Sequence, residues 1–202
     1  PLLDQYFRNY INNFKEKQSM EEDLLKFKEN YFSIIEKMTR SNVITDKAPL
    51  NFRWIGLIKL IFPNAVIIHC KRNPLENSWS IYKNDFDGGM PFSNDIKDLA
   101  NYYYIYQDLM IFWKSYFNKD IYDLNYEDLI NNPDSKIKEI INFCELEWQD
   151  NCLAYYNNKR SIKTVSFSQA RKPIYKNSLK GSTKFEDYIK DLEDALSSSK
   201  VR

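Results

Sequence analysis

Two short apolar runs, each ending in charged residues and each followed by a helical pattern, constrain the fold of this chain more than any other feature. The clearer run is AVIIHC at residues 65–70, which is followed by Lys71-Arg72 and then by PLENSWSIYKN. A continuous apolar run of this length is typical of a strand buried on both faces. Asn73 can cap the following helix, and Pro74 suits its first position. The segment therefore predicts a strand followed by a helix.

The same order occurs in an earlier and in a later segment. In NVITDKAPLNF, a β-branched run predicts a buried strand that ends at Asp46-Lys47, and FRWIGLIKLIF predicts a helix that ends near Pro63. Further on, the strand-like DIYDLNY precedes the helical EDLINNPDSKIKEIINFCE. Strands that alternate with helices form a parallel sheet covered by those helices. We therefore expect an α/β fold with a parallel sheet.

The length of the chain favours a single domain. Its 202 residues, 43% of them hydrophobic, can bury one substantial core. Residues 1–42 carry helical spacing with a capped restart at Ser19 and form a helical lead-in, residues 43–156 form the α/β core, and residues 157–202 form a basic flap and a closing helix. A continuous helical pattern at residues 95–117 lies within the core region.

Composition and charge bear on the partners that this chain can have. Lysine and arginine number 29 against 28 acidic residues, so the whole-molecule charge does not favour nucleic acid binding. No apolar stretch approaches the roughly 20 residues that span a bilayer. The three cysteines lack the paired spacing of a metal site, and we expect buried thiols, no metal and a cytoplasmic protein.

Lys47 and Arg72 follow the two apolar runs, where ligands bind in an open parallel sheet. A helix N-terminus attracts anions, and arginine adds a planar donor fork suited to phosphate. Ser80 lies about two helical turns beyond Arg72, so both can reach one anion only if Arg72 folds back along the helix. From the residues alone, Arg72 is either an anion ligand or part of a salt bridge.

Four ordered segments resemble sulfotransferases that use 3'-phosphoadenosine 5'-phosphosulfate (PAPS). These segments are RNPLENSWSIYKN, TDKAPLNFRWIGLIKLIFPNAVIIHCKRNPL, DLNYEDLINNP and SFSQARKPIYKNS. Their order and spacing are similar to the branch that contains tyrosylprotein sulfotransferases and bacterial sulfotransferases fused to tetratricopeptide repeats. The resemblance implies a three-layer α/β fold like that of P-loop nucleotide hydrolases, and sulfuryl transfer to a hydroxyl or amine of a protein tyrosine, a carbohydrate or a small molecule.

The resemblance also implies a role for individual residues. It places Arg72 and Ser80 on the 3'-phosphate, Tyr126 on the nucleotide, Ser166 and Lys180 on the phosphosulfate side, and Lys47 beside the bridging oxygen of the transferred group. It implies no metal, because the sulfuryl group carries less negative charge than a phosphoryl group. Without the resemblance, Tyr126 fits a core residue and Ser166 fits a solvated basic loop.

The phosphosulfate loop of this family has no counterpart here. The four glycines, at positions 56, 88, 89 and 181, cannot form a glycine-rich phosphate turn. We expect this stretch to be a fragment that lacks the first strand and loop of the fold, and to be inactive alone. The resemblance names no general base and no acceptor in it, and leaves open whether tetratricopeptide repeats precede it.

Two other interpretations remain open at this point. One is a fragment of a kinase or NTPase with the same sheet, which would bind ATP with magnesium. The other is a degenerate module that binds a partner without catalysis. His69, the only histidine, lies within a strand and is interpreted as a packed residue.

Overall fold

The computed structural model describes residues 2–13, 19–84, 90–158, 171–174 and 186–198. The strands in these ranges are β1 (Ile67–Lys71) and β2 (Ile121–Asn125). The described α-helices are α1 (Leu2–Asn13), α2 (Met20–Met38), α3 (Ile55–Ile61), α4 (Pro74–Tyr82), α5 (Ile96–Phe117), α6 (Tyr126–Asn131), α7 (Pro133–Phe143) and α8 (Glu186–Ser198). Short 3-10 helices lie at Pro49–Trp54, Pro91–Asn94, Asp150–Cys152 and Tyr155–Asn157.

Helix boundaries follow the local signals in the sequence. Ser19 accepts a hydrogen bond from the backbone N–H of Glu22 and begins α2, and Asp95 accepts from the N–H groups of Lys97 and Asp98 and begins α5. The segment predicted as helical after β2 is divided at Asn132, because the residue before a proline disfavours helical geometry. None of the described helices is both long and apolar enough to cross a membrane.

The chain is divided into two compact units. The first consists of residues 1–65 together with 109–116 of α5, and the second of residues 66–108 and 117–202. In the first unit, Phe7 and Ile55 are almost completely buried, and the ring of Tyr6 stacks on Phe27 with centroids 3.7 Å apart. Trp113 packs so closely on Gly56 that a Cβ atom there would lie 2.8 Å from its ring. Any larger residue at position 56 would therefore force the Trp113 ring to shift.

The second unit contains a two-stranded parallel sheet. The register pairs Ile67 with Ile121 and continues to Lys71 with Asn125. A separate core cluster in this unit consists of Trp79 from α4, Leu99 from α5, and Ile189 and Leu192 from α8. The described part of the chain is thus helix-rich with a small parallel sheet, which is compatible with the predicted α/β class.

Residues 43–46 do not form the predicted strand. This segment has no regular secondary structure, and Val43 and Ile44 are exposed rather than buried. The hydroxyl of Ser41 accepts a hydrogen bond from the N–H of Val43 (3.2 Å) and donates one to its carbonyl (2.9 Å). Both backbone groups of Val43 are therefore bonded locally, which competes with pairing to a neighbouring strand.

Candidate functional site

The sheet register brings Arg72 and Tyr126 together, although 54 residues separate them in sequence. Lys71 is paired with Asn125 in the last position of the two strands, so the next residue of each strand lies at the same edge. The Arg72 guanidinium lies over the ring of Tyr126, with its carbon 5.2 Å from the ring centroid. A cation in this position is attracted by the electron density of the ring face. Two of the predicted site residues therefore share one location.

The beginning of α4 already carries a negative group from this chain. The side chain of Asn73 accepts from the N–H of Glu76 at 3.1 Å and caps the helix as predicted. The backbone N–H of Asn73 donates to Oε1 of Glu127 at 2.8 Å. A carboxylate at a helix N-terminus is stabilised by the helix dipole and by the N–H groups there. The local geometry of this helix start therefore suits an anion.

Arg72 folds back along the first turn of α4. Its Nη2 lies 3.8 Å from Oε2 of Glu76, four residues later, and Ser80 follows after four more. Glu76 and Ser80 are four residues apart within α4 and lie on one helix face, and Arg72, which precedes the helix, lies close to Glu76. A guanidinium and a hydroxyl are suitable donors for a phosphate.

Lys47 lies in the first unit, on the extended segment before the 3-10 helix Pro49–Trp54, and its side chain is exposed. The residue before it, Asp46, accepts hydrogen bonds from the Tyr31 hydroxyl (3.3 Å) and from the Asn51 side-chain amide (3.1 Å). These two bonds hold the backbone next to Lys47 against α2 and the 3-10 helix.

Two predicted site residues, Ser166 and Lys180, lie outside the described residues. Between them, residues 171–174 are described, and the carbonyl of Lys172 accepts a hydrogen bond from the Tyr155 hydroxyl at 2.9 Å. The predicted basic flap is therefore described only at this point.

A hydrogen-bonded group that the sequence did not indicate surrounds His69. Its Nδ1 lies 2.8 Å from Oδ1 of Asp123, the residue opposite it in the register, and its Nε2 lies 2.5 Å from the hydroxyl of Tyr106. Burial, with smaller effects of Tyr103 and Asp123, raises the pKa of Tyr106, so it stays a neutral phenol. Both ring nitrogens of His69 are engaged, as expected for a packed histidine.

Asp123 also forms an ion pair with Lys71, whereas Arg72 lies close to Glu76. Lys71 Nζ lies 3.3 Å from Oδ2 of Asp123, and its side chain is 45% exposed compared with 23% for Arg72. The two adjacent cations therefore have different partners.

Among the described residues, no group of three or more histidine, cysteine or acidic side chains is arranged to hold a metal ion. Cys70 is exposed, which differs from the expected buried thiol, and all three cysteines are free.

Comparison with known proteins relates this chain to a protein family and to a longer protein. The family model described as "Sulfotransferase family" matches residues 2–150. A protein of Aquifex aeolicus (strain VF5), named only "Uncharacterized protein", is 39% identical over 156 residues, which is 76% of this chain and 20% of that protein. The chain thus spans about a fifth of the relative's length. The region matched by the family model includes Lys47, Arg72, Ser80 and Tyr126.

Proposed function

We propose that this chain, which belongs to the sulfotransferase family, binds PAPS and contributes to sulfuryl transfer from it to a hydroxyl or amine acceptor. The observation that carries the proposal is the position of Arg72. Its guanidinium lies over Tyr126 at the edge of the sheet and close to Glu76 in the first turn of α4, the helix that carries Ser80. An arginine fork, a helix start and a hydroxyl form a donor set for a phosphate monoester.

In this proposal Arg72 and Ser80 hold the 3'-phosphate of the donor. The Tyr126 ring packs against the Arg72 guanidinium and contacts the nucleotide. Ser166 and Lys180 bind the phosphosulfate side, an assignment that rests on the sequence resemblance. The proposal also includes a three-layer, P-loop-like arrangement of the whole sheet. It further includes a cytoplasmic location, which is supported by the three free cysteines because free thiols suit a reducing compartment.

The transfer itself exchanges one sulfur–oxygen bond for another bond to sulfur. The acceptor oxygen or nitrogen attacks the sulfur, and the bond from sulfur to the bridging oxygen of the phosphosulfate breaks. The bridging oxygen keeps the electron pair and leaves with adenosine 3',5'-bisphosphate, while the acceptor releases its proton to a base. The Lys47 ammonium neutralises the charge that develops on the bridging oxygen. Positioning and charge stabilisation supply most of the catalysis in transfers of this kind.

Calorimetric titration with adenosine 3',5'-bisphosphate tests the role of Arg72. We expect Arg72→Ala to weaken binding by roughly 30- to 100-fold, because a charge-assisted, two-pronged hydrogen bond to phosphate is lost. Lys71→Ala is the matched control: it removes the adjacent cation, which is bonded to Asp123, and should change affinity by less than about threefold. Thermal unfolding of both variants checks that the fold is retained.

Equal effects of the two substitutions would contradict a specific site at Arg72. The alternative of a kinase or NTPase fragment predicts instead that ATP with magnesium binds more tightly than adenosine 3',5'-bisphosphate. A module without a nucleotide site predicts no heat with either ligand. The same titrations therefore separate the three functions.

A further inference from the structure

A row of polar side chains lies on one face of the two-stranded sheet in the second unit. His69 and Lys71 are two residues apart on β1, and Asp123 is opposite His69 on β2. Side chains two residues apart on a strand point to the same face of the sheet. Tyr106, on α5, is hydrogen-bonded to His69. The proposed transfer uses none of these four side chains.

Asp123 is the centre of this row. Its Oδ1 lies 2.8 Å from Nδ1 of His69, and its Oδ2 lies 3.3 Å from Nζ of Lys71. The side chains of His69 and Asp123 are 11% and 24% exposed, whereas that of Lys71 is 45% exposed. The bond from the Asn73 N–H to Glu127 also joins the ends of the two strands, but it is exposed. Because a hydrogen bond shielded from water is stronger, we expect the bond between His69 and Asp123 to be the strongest of these three links.

Tyr106 holds the ring of His69 at its other nitrogen. A carboxylate can only accept hydrogen bonds, so Nδ1 of His69 carries a proton towards Asp123. In the neutral ring, Nε2 then accepts from the Tyr106 hydroxyl at 2.5 Å. The ring is therefore held from two sides, by β2 and by α5.

This network distinguishes the observed register of the two strands from its neighbours. A shift of one residue would turn the side chains of one strand to the other face of the sheet. A shift of two residues would place Ile121 or Asn125 opposite His69 and would remove the bond to Asp123. The pairs on the other face, such as Cys70 with Leu124, are largely apolar, and apolar contacts are not directional. The polar row therefore selects the register.

The register in turn brings Arg72 to Tyr126. Arg72 follows His69 by three residues, and Tyr126 follows Asp123 at the same spacing. A parallel strand rises about 3.3 Å per residue, so a shift of two residues would move one strand end by about 6.6 Å. The guanidinium carbon of Arg72 lies 5.2 Å from the centroid of the Tyr126 ring, so such a shift would remove this contact.

We propose that Asp123, acting through His69, is a positioning residue of the donor site, an inference that rests on the proposed function. Asp123 itself touches no substrate. It sets the register of β1 and β2 and thereby keeps the Arg72 guanidinium over Tyr126, where it receives the 3'-phosphate. The measured affinity for that phosphate depends on the fraction of molecules that have the correct register.

The first measurement needs no nucleotide. Protons over the face of an aromatic ring are shifted upfield in NMR spectra, so the side-chain protons of Arg72 report its contact with Tyr126. The variant Tyr126→Leu gives their position without the ring. We expect the upfield shift in the wild type and in Asp123→Asn, which keeps an acceptor for His69. The shift should be lost in Asp123→Leu, which has no acceptor.

The second measurement is calorimetric titration with adenosine 3',5'-bisphosphate. Asp123→Leu should raise the Kd by about tenfold and Asp123→Asn by less than about threefold, although both remove the same charge. In the Arg72→Ala background, Asp123→Leu should change the Kd by less than about twofold, because the residue through which it acts is absent. A general loss of structure would instead add to the effect of Arg72→Ala.

Thermal unfolding checks each variant, and Asp123→Ala replaces Asp123→Leu if the latter does not fold. Three results would overturn the proposal: equal Arg72 shifts or equal Kd values in Asp123→Leu and Asp123→Asn, additive effects with Arg72→Ala, or failure of both the leucine and the alanine variant to fold. The last result would give Asp123 a role in the fold alone.

The two measurements also separate this inference from the proposed function. If the Arg72 shifts change as expected and the wild type does not bind the nucleotide, the proposed function fails, while the role of Asp123 in setting the register stands. If the wild type binds the nucleotide and the shifts are equal in the two Asp123 variants, only the positioning role fails.

Discussion

Arg72 lies close to one aromatic ring and to carboxylate groups. Its guanidinium carbon lies 5.2 Å from the centroid of the Tyr126 ring, and its Nη2 lies 3.8 Å from Oε2 of Glu76. Glu127 accepts a hydrogen bond from the backbone N–H of Asn73, the next residue. The sequence shows the spacing of Arg72 and Ser80 and the cap of α4 at Asn73. The contact of Glu127 could not be predicted, because it depends on the register of two strands that are far apart in sequence. That carboxylate and a bound phosphate would compete for the same helix start.

Glu127→Gln tests this competition. The substitution keeps an oxygen that can accept from the Asn73 N–H and removes the negative charge. We expect the affinity for adenosine 3',5'-bisphosphate to rise by about three- to tenfold at low salt, since a like charge near the phosphate is removed. Asp128→Asn is the control, because that carboxylate accepts from the Asn125 side chain at 3.2 Å instead. A fall in affinity in Glu127→Gln, or an equal rise in both variants, would argue against a phosphate at this helix start.

One carboxylate fixes α1 to the 3-10 helix Pro49–Trp54. Oδ1 of Asp4 accepts from Arg53 Nη2 at 2.6 Å and from Trp54 Nε1 at 2.7 Å, and Oδ2 accepts from Arg8 Nε at 3.0 Å. Burial acts to raise the pKa of Asp4, but the hydrogen bonds from Trp54 and Arg8, together with the charge of Arg53, outweigh it and lower the pKa. Asp4 therefore fixes the position of α1 against the 3-10 helix.

Asp4→Asn should lower the free energy of unfolding by about 1–3 kcal/mol at neutral pH, because two partly buried donors lose a charged acceptor. The pKa of Asp4 is lower in the folded chain than in the unfolded one, so its contribution is present above the unfolded value and is lost as the pH falls through the folded value. Urea unfolding at neutral and acidic pH measures both effects. The variant should lose less stability on acidification than the wild type, whereas Glu29→Gln, an exposed change on α2, should behave as the wild type does. An unchanged neutral-pH stability in Asp4→Asn would contradict this role.

Local signals predicted most elements well and failed where partners decide the structure. Ser19, Asn73 and Asp95 begin helices through hydrogen bonds that short sequence patterns indicate. The β-branched run at residues 43–46 has the composition of a strand, yet a strand also requires a neighbour that pairs with its backbone. Ser41 bonds the backbone of Val43 instead. The composition of a segment does not contain that information.

The family match and the contacts at Arg72 are two independent observations in favour of the proposed donor site. The family model covers residues 2–150 and therefore excludes Ser166 and Lys180, whose roles stay predictions. The relative from Aquifex aeolicus is far longer than the matched region, so the activity of a complete protein is a proposal.

The proposed donor site is tested by comparing two ligands on the wild-type protein: adenosine 3',5'-bisphosphate and adenosine 5'-monophosphate, which lacks the 3'-phosphate. If Arg72, Ser80 and the start of α4 hold that phosphate, the bisphosphate should bind at least about 30-fold more tightly by calorimetry, since the charge-assisted contacts exist for it alone. Equal affinities for the two nucleotides would contradict the account, because a site that does not recognise the 3'-phosphate is not the donor site proposed here.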